Sequence, residues 1–581
     1  DAGGCPLFRE RRGMFAEATD RSPKYGAAPV KSPFVQAGSA KERPSRGTPF
    51  PFSDGDRVTP EQVIEHAGWS NRRGSYQSFL LIVTCVTIAS EAAEVALLSL
   101  ILPHVKGEFG LSSQQTDRVA MSIFFGQMCG CFLMGALADK AGRKPCGVVA
   151  NVCVSVGGYA SAFAPGVTSL MGCRFLVGLG VGAAFVPVDM LAEACPDNQR
   201  SRKTQIANLS FSIGVVIITV IGAFVLDPFG WRVLTFVTAI PPTIALGMSL
   251  YLDESPTWLA EKGKHERAKT VLSKICRENC GRDLPLGVRI VPSSEVEEGG
   301  NTGVHTSVSS DGGDVLVDSN DQTGGGMKDG KFRDSTEKTK KTVLEKTLFS
   351  RQTQTSGGVW WNLLGTKTNL ARTLCLWILA FVQTFNFYGL MLHSPTVFRK
   401  TVYFEQALDA GGTSGLTKVD VVSSIRFDYP AILVVNAGDV VGNLTALYML
   451  RRNVNPRHVA FGCALLSIPP LFAPLFPALK TSRWGLVLTM LLGRIPAAPI
   501  GAMSWILNAV AYPTLFRATG HGYANAVARF GAVAASSMYS AKNAVSIPIH
   551  AVALLLAAPA ALFAPKGSLE TQGGASLKKL F

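Results

Sequence analysis

Long apolar runs alternate with short polar connections over most of this chain. A membrane-spanning helix needs about 20 consecutive apolar residues, and twelve runs approach or exceed that length. They predict an all-α membrane protein with twelve transmembrane helices, named spans one to twelve, in two pseudo-symmetric six-helix halves, 77–252 and 371–564. The spans are predicted at roughly 77–103, 118–138, 146–164, 169–191, 205–226, 232–252, 371–392, 427–449, 457–478, 484–507, 521–540 and 546–564.

Polar segments lie before, between and after the two halves. Residues 1–76 are rich in Pro, Gly, Arg and Ser, which predicts a mostly disordered cytoplasmic tail. The segment 253–370 is predicted to be a cytoplasmic insert, with one surface helix over 256–279 followed by a disordered Ser/Gly/Asp-rich linker at 292–340. Residues 565–581 form a second predicted cytoplasmic tail.

Composition narrows the class of protein. The chain has 581 residues, of which 47% are hydrophobic and 17% charged, whereas soluble domains average about 25% charged residues. This deficit excludes a wholly soluble enzyme and predicts a protein whose main partner is the lipid bilayer. No Walker loop occurs, which disfavours ATP-driven transport.

The net charge of +15 favours membrane topology over nucleic-acid binding. The two long polar segments are nearly balanced, with 12 basic and 9 acidic residues in 1–76 and 17 of each in 253–369. The surplus lies in short connections, where Lys and Arg favour the cytoplasmic side. With both termini and the insert cytoplasmic, inner connections and the C-terminal tail hold 13 Lys and Arg against ten outside.

Cysteine, histidine and glycine patterns predict no metal or cofactor. Most of the 12 cysteines lie inside apolar runs, and the eight histidines form no metal-binding spacing. The glycines at 178, 180 and 182 superficially resemble a dinucleotide loop. They lie inside span four, where small residues allow close helix packing.

An internal repeat supports the two halves. In each half an arginine near the start of the fourth helix is followed, about twenty residues later, by the pattern Pro-x-x-x-Arg. The copies are Arg174 with CPDNQR ending at Arg200, and Arg494 with YPTLFR ending at Arg517. Transporters built from such repeats bind substrate between them, near the membrane midplane.

The turn between spans two and three reads GALADKAGRK (135–144). Its glycines predict close helix approach and a tight turn, and its charged side chains lie at a membrane face. An ordinary basic loop is the alternative explanation, which the spacing disfavours. The residues concerned are Gly135, Asp139, Gly142, Arg143 and Lys144.

This loop and several longer strings resemble the synaptic-vesicle-related and organic-ion branch of the major facilitator superfamily. The strings are EAAE in span one, RFLVGLGVGAAFVPVDMLAEACPDNQRSR in span four, FGWR, DESPTWL, LWILAFVQTFNFYGL in span seven, and YPTLFRATGHGYANAVARFG. The resemblance covers about 75–570, apart from 281–369. It implies a secondary transporter that works by alternating access.

The resemblance also implies a charge network that latches the inner face. Asp139 and Arg143 would join Glu193 and Arg200, and Asp189 is a further candidate. The second half departs from the family pattern, because LRRNVNPRH (450–458) contains no acid and Val510 stands where the first half has Glu193. The gating candidate remaining there is Arg517.

Ionisable side chains within spans indicate functional sites, since a charge in the bilayer costs about 3 kcal/mol even on lenient scales. Glu91 and Glu94 share one face of span one. Their depth allows either to pair with Arg174, as a structural ion pair or as part of the transport site. The glutamate left without that arginine is the better candidate for carrying a proton.

Further polar residues could line a substrate cavity or simply bond neighbouring helices. Asp439 in span eight could bind substrate or a proton, or serve packing alone. The other candidates, for which helix-to-helix hydrogen bonding is the competing explanation, are Gln383, Asn386, Tyr388 and Trp505.

The sequence therefore predicts a monomeric secondary transporter of a small organic ion, proton-coupled through Glu91 or Glu94, in the plasma membrane or a vesicle membrane. A facilitative sugar transporter is the alternative within the same class. A receptor or scaffold without transport activity is the alternative of another class, suggested by the incomplete second latch.

Overall fold

The computed structural model describes residues 51–70, 75–183, 185–292, 367–398, 426–452, 454–472, 476, 482–511, 517–539 and 543–564. The chain from Arg46 onward forms one compact unit. In the described part, eight helical stretches are long and apolar enough to cross a membrane, and one of these covers both span five and span six.

The first half contains a helix or helix pair at each predicted span. Spans one to three are single helices, span four is two helices, and spans five and six share a long interrupted helix and a shorter one. In order, these are α2 (Tyr76–Phe109), α3 (Ser113–Ala141), α4 (Arg143–Ala162), α5 (Val167–Val181), α6 (Phe185–Glu193), α7 (Asp197–Thr238) and α8 (Ile240–Leu250).

The long helix α7 is interrupted where the chain turns back into the bundle. Gly230 has φ 80°, outside the helical region, and Pro228 just before it cannot donate the helical hydrogen bond. Span five therefore ends near Pro228 and span six begins at Trp231.

The second half has one helix for each of its six spans. These are α11 (Lys367–Val397), α12 (Tyr429–Arg451), α13 (Pro456–Phe472), α14 (Arg483–Ala511), α15 (Arg517–Ser536) and α16 (Asn543–Phe563). The prediction of twelve helical spans in two halves is confirmed.

The two halves meet along three helix pairs. Helix α2 packs on α11, α3 on α15 and α7 on α12, and one apolar core runs through both halves. Within the first half, α3 lies directly against α5, because a Cβ at Gly178 would run into the carbonyl of Ile123. This contact confirms helix packing as the role of that glycine.

Residues 51–70 are folded, so the prediction of disorder up to residue 76 is wrong for this stretch. Strand β1 (Arg57–Val58) pairs in parallel with β2 (Arg289–Ile290), and helix α1 (Pro60–Ala67) packs against the insert. Thr59 caps α1 through a reciprocal bond with Gln62, and Ile64 is buried. The overall composition of 1–76 suggested disorder, because composition does not record the order of buried and exposed positions along α1.

The start of the insert also differs from the prediction of one helix over 256–279. Helix α9 (Pro256–Glu261) ends before Gly263, whose φ is 70°, and α10 (His265–Cys280) follows. The chain segments 51–70 and 253–291, together called the loop-face cap, share one apolar core with the neighbouring ends of α2, α6 and α7. The cap lies at the end of the bundle that carries residues 135–144, called the loop face.

Candidate functional site

A cavity of about 150 Å³ lies between the two halves. One water needs about 10–15 Å³ measured in this way, so the cavity has room for a small solute. Its wall combines aromatic rings with amide and hydroxyl groups. The polar and aromatic lining residues are Phe185, Asn208, Phe211, Ser212, Gln383, Thr384, Phe387, Tyr388, Asn443, Ser504, Trp505, Asn508 and Asn525, beside the charged Glu91 and Arg529.

The two charged residues of the cavity wall come from opposite halves. Arg529 of α15 lies 3.5 Å from the Glu91 carboxylate of α2. The guanidinium also donates to the Gln127 side chain at 2.8 Å and to the Tyr388 hydroxyl at 3.0 Å. A carboxylate and a guanidinium therefore face the cavity together, with the arginine held chiefly by neutral partners.

The second glutamate of span one is held inside the first half. Glu94 forms an ion pair with Arg174 at 3.0 Å, and both side chains are fully buried. Arg174 also donates to Ser161 at 3.0 Å. The structure thus pairs Arg174 with Glu94 and leaves Glu91 facing the cavity.

The second half has its own buried ion pair. Arg494 binds both carboxylate oxygens of Asp439 and donates to Asn436. Asn436 in turn donates to Thr219 of the first half at 2.9 Å. Asp439 is therefore engaged behind the cavity wall, whereas Asn443, one turn along α12, reaches the cavity.

Of the four candidate residues in spans seven and ten, three line the central cavity and one packs inside the helix bundle. Gln383, Tyr388 and Trp505 line the cavity. Asn386 is buried and donates to the Val382 carbonyl within α11. It belongs to the helix interior, so the structure places it outside the cavity wall.

At the loop face, Arg143 joins two acidic residues. It lies 3.2 Å from Asp139 and 3.7 Å from Glu193, and Glu193 also accepts the Ser255 hydroxyl. Arg200 was expected in this network, but it pairs with Asp197 at 2.9 Å and donates to a backbone carbonyl. Asp197 and Arg200 are three residues apart in the first turn of α7, so they lie on the same face of the helix and pair locally.

The sequence analysis missed Glu254 of the DESPTWL string, which contacts the loop 135–144. Its carboxylate accepts from the backbone amides of Arg143 at 2.9 Å and Lys144 at 3.2 Å. These amides begin α4, where Gly142 offers no capping side chain, and an anion at a helix N-terminus is stabilised by free N–H groups. No local pattern links the two, because Glu254 and Arg143 are 111 residues apart in the chain.

The cap holds the same loop from the other side. The Trp258 indole donates to the Asp139 carbonyl at 3.3 Å. Glu261, at the end of α9, lies near this loop, and desolvation raises the pKa of that carboxyl while the charge of Arg143 opposes the shift. The loop 135–144 is thus fixed by residues of the insert as well as by span four.

The remaining predicted gating residues have varied positions. Gly142 has φ 117°, which confirms the tight turn, whereas a Cβ at Gly135 would lie 3.8 Å from the Phe185 ring, an ordinary contact rather than a close approach. Asp189 is partly exposed one turn before Glu193. The side chain of Arg517 lies outside the described residues.

The chain is similar in sequence to one transporter family and to several individual proteins. The sequence profile of a family described as sugar (and other) transporters matches residues 57–286. The synaptic vesicle 2-related protein of Pongo abelii is 26% identical over 529 residues, covering 89% of this chain and 82% of that protein. Organic cation/carnitine transporter 7 of Arabidopsis thaliana is 25% identical over 492 residues, covering 83% and 88%.

Solved structures share the fold. The xylose transporter XylE from E. coli, in a partially occluded inward-open conformation, aligns with a TM-score of 0.56 at 15% identity, over 84% of this chain and 98% of that one. The proton:xylose symporter XylE bound to 6-bromo-6-deoxy-D-glucose, a structure described as a major facilitator superfamily protein, gives 0.55 at 17% identity, over 84% and 96%.

Two six-helix halves around a central cavity define a membrane transporter rather than an enzyme. Residues 57–286 match the family of sugar (and other) transporters, and the fold is that of a solved major facilitator superfamily transporter. The chain's predicted resemblance to the synaptic-vesicle-related and organic-ion branch is confirmed by these relatives. A receptor or scaffold without transport activity is therefore set aside.

Proposed function

We propose that this transporter moves a small organic ion, coupled to protons through Glu91. The observation that carries the proposal is the Glu91–Arg529 contact, because it places an opposite-charge pair from the two halves on the cavity wall. An organic cation would bind beside the carboxylate and an organic anion beside the guanidinium. One relative is named as an organic cation/carnitine transporter, which supports this substrate class.

Proton coupling is assigned to Glu91 rather than Glu94 on geometry. Glu94 is locked to a fully buried arginine at 3.0 Å, and removing one charge of such a pair leaves the other uncompensated. Glu91 lies farther from its arginine, at 3.5 Å, and borders the cavity. Protonation of Glu91 would loosen the contact between the halves, while Arg529 keeps Gln127 and Tyr388 as partners. A solved structure of the same fold is described as a proton:xylose symporter.

Alternating access would then follow, because protonation of Glu91 weakens the contact between the two halves. The halves rock about the cavity when Glu91 is neutral and substrate is bound, and the loop 135–144 with its acidic partners favours one of the two states. We place the loop face, both termini and the insert in the cytoplasm, and the working unit as a monomer in the plasma membrane or a vesicle membrane. A tag at residue 320 that antibodies reach in intact cells would contradict this orientation.

A facilitative sugar transporter is the second candidate, on one specific observation. The cavity wall carries amides beside an aromatic ring, among them Gln383, Asn443, Asn508 and Trp505, and such groups suit the hydroxyls of a sugar. The profile match to sugar (and other) transporters supports the same alternative.

Counterflow in proteoliposomes separates the two candidates. The panel is radiolabelled tetraethylammonium, p-aminohippurate, carnitine, xylose and glucose, each measured at two pH values. The proposal expects pH-dependent counterflow of an ionic solute. Counterflow restricted to the sugars and insensitive to pH would contradict it and establish the alternative.

A further inference from the structure

A second, much smaller cavity lies behind Glu91, inside the first half. It measures about 10 Å³, which is about the space that one water occupies on this measure. Glu91 borders both this space and the central cavity. The Glu91 side chain therefore lies between two cavities. The central cavity is large enough for a solute, and the small cavity is large enough for one water.

The small cavity offers partners for a water. The Thr87 hydroxyl faces it, is about nine-tenths buried, and has no hydrogen-bond partner in the described part of the chain. An unsatisfied buried hydroxyl costs free energy, and a bound water removes that cost. The carboxylate of Glu91 is the second partner.

The backbone of span four closes one side of the small cavity. Helix α5 ends at Val181 and α6 begins at Phe185, and the wall of the small cavity includes Gly180, Val181 and Ala183 at this interruption. The amides of Gly182 and Ala183 at this interruption donate to the carbonyls of Gly178 and Gly180 at 2.8 and 3.0 Å. The indication of a ligand therefore comes from the Thr87 hydroxyl rather than from the backbone.

We propose that the small cavity binds one ordered water, which hydrogen-bonds to Thr87 and Glu91 and carries the proton of Glu91 on the side away from the substrate. This inference rests on the proposed proton coupling. Apart from Glu91, no residue lining the small cavity is ionisable, so water is the proton acceptor there. The other titratable groups near Glu91 are Arg529 and Tyr388 of the second half, Cys131 of α3, and Glu94 on its own helix.

The transfer balances without any other reagent. The carboxyl O–H bond of Glu91 breaks as its proton passes to the water oxygen, and the water releases one of its own protons to solvent water toward the loop face. Glu91 is left as a carboxylate beside Arg529. The cavity extends in that direction, since its wall includes Gly147, only four residues and about 6 Å along α4 from Arg143.

Two substitutions test the site without touching a charged group. Thr87→Val removes the hydroxyl at nearly constant volume. Gly147→Ala places a methyl group in the space, since a Cβ there meets no atom within 4 Å. Thr84→Val is the matched control, because the Thr84 hydroxyl lies one turn away and already has protein acceptors, the Leu80 carbonyl at 2.8 Å and the Pro187 carbonyl at 3.2 Å.

The first readout needs no substrate. A cryo-EM map that resolves ordered waters elsewhere in the full chain should show a peak within hydrogen-bond distance of Thr87 Oγ1 in the parent and none in Gly147→Ala. An empty space in such a parent map would overturn the inference, whatever the transport assays show.

The second readout is transport of the panel solute that the parent takes up best. Thr87→Val and Gly147→Ala should slow pH-gradient-driven accumulation about fivefold, equivalent to about 1 kcal/mol, the usual net value of one hydrogen bond. Exchange at equal pH should be unchanged, and Thr84→Val should behave like the parent. Parent-like accumulation by Thr87→Val would overturn the proton role. A parent that shows no gradient-driven uptake of any panel solute would instead contradict the coupling itself.

Discussion

Arg529 of span eleven lies 3.5 Å from Glu91 of span one, and this contact joins the two halves at the wall of the central cavity. Three residues later on the same helix face, Glu94 is paired with Arg174 inside the first half. Two glutamates on one helix face therefore have different partners, one within a half and one across the interface. On this difference we propose a structural role for Glu94 and the transport role for Glu91.

The Glu94–Arg174 pair should govern stability more than transport. Glu94→Gln or Arg174→Met leaves a fully buried charge unpaired, which costs about 3–5 kcal/mol. Thermal unfolding in detergent should show a lower Tm for each single variant. The double variant Glu94→Met with Arg174→Met should recover most of the loss. A double variant as unstable as the sum of the single ones would argue against this pairing.

The loop 135–144 should depend on Glu254 and Arg143 more than on Asp139. The Asp139 side chain is 77% exposed, and exposed ion pairs contribute about 0–1 kcal/mol. Glu254→Ala removes the charge that caps α4, a loss of about 1–2 kcal/mol. Cysteine accessibility at the loop face and transport rate should change strongly in Glu254→Ala and Arg143→Ala, and weakly in Asp139→Asn. Equal, parent-like behaviour of all three variants would show that this loop does not favour either state.

The loop-face cap should require the folded segment before span one. Ile64 is 1% exposed, and truncating such a side chain costs about 2–5 kcal/mol. In Ile64→Ala, limited proteolysis should cut the chain between residues 51 and 75 faster than in the parent. Glu65→Ala is an exposed control on the same helix, although it also loses a bond to the Asp197 amide at 2.9 Å. Identical cleavage rates in Ile64→Ala and the parent would contradict a packed cap.

Deleting residues 292–340 should leave insertion and transport largely intact. The Ser/Gly/Asp-rich sequence of this stretch contains too few apolar residues to form a core, and β2 ends before it, at Ile290. Size-exclusion profiles and uptake rates of the deletion variant should match those of the parent. Loss of expression or uptake would reveal a structural or regulatory role for the segment.

The helical spans could be predicted because each needs only a long apolar run, a local property of the sequence. The candidate pair of Arg174 with a glutamate followed from depth along two helices, although depth alone could not choose between Glu91 and Glu94. The contact of Arg529 with Glu91 could not be predicted from the sequence, because it depends on how the two halves pack.

Other misses have the same physical origin. Glu254 lies 111 residues from the amide of Arg143 that it binds, so no local pattern connects them. The folding of 51–70 depends on β1 meeting β2 across more than 200 residues. The interruption of span four between Val181 and Phe185 could not be predicted, because the apolar run continues through it.

The most direct test of proton coupling is accumulation of an ionic panel solute in proteoliposomes with an imposed pH gradient, compared between the parent and Glu91→Gln. Because glutamine cannot release a proton yet keeps the size of the side chain, the variant should lose gradient-driven accumulation and retain exchange at equal pH. Glu94→Gln, if it folds, should keep coupling. Parent-like accumulation by Glu91→Gln would contradict the assignment of the coupling proton to Glu91.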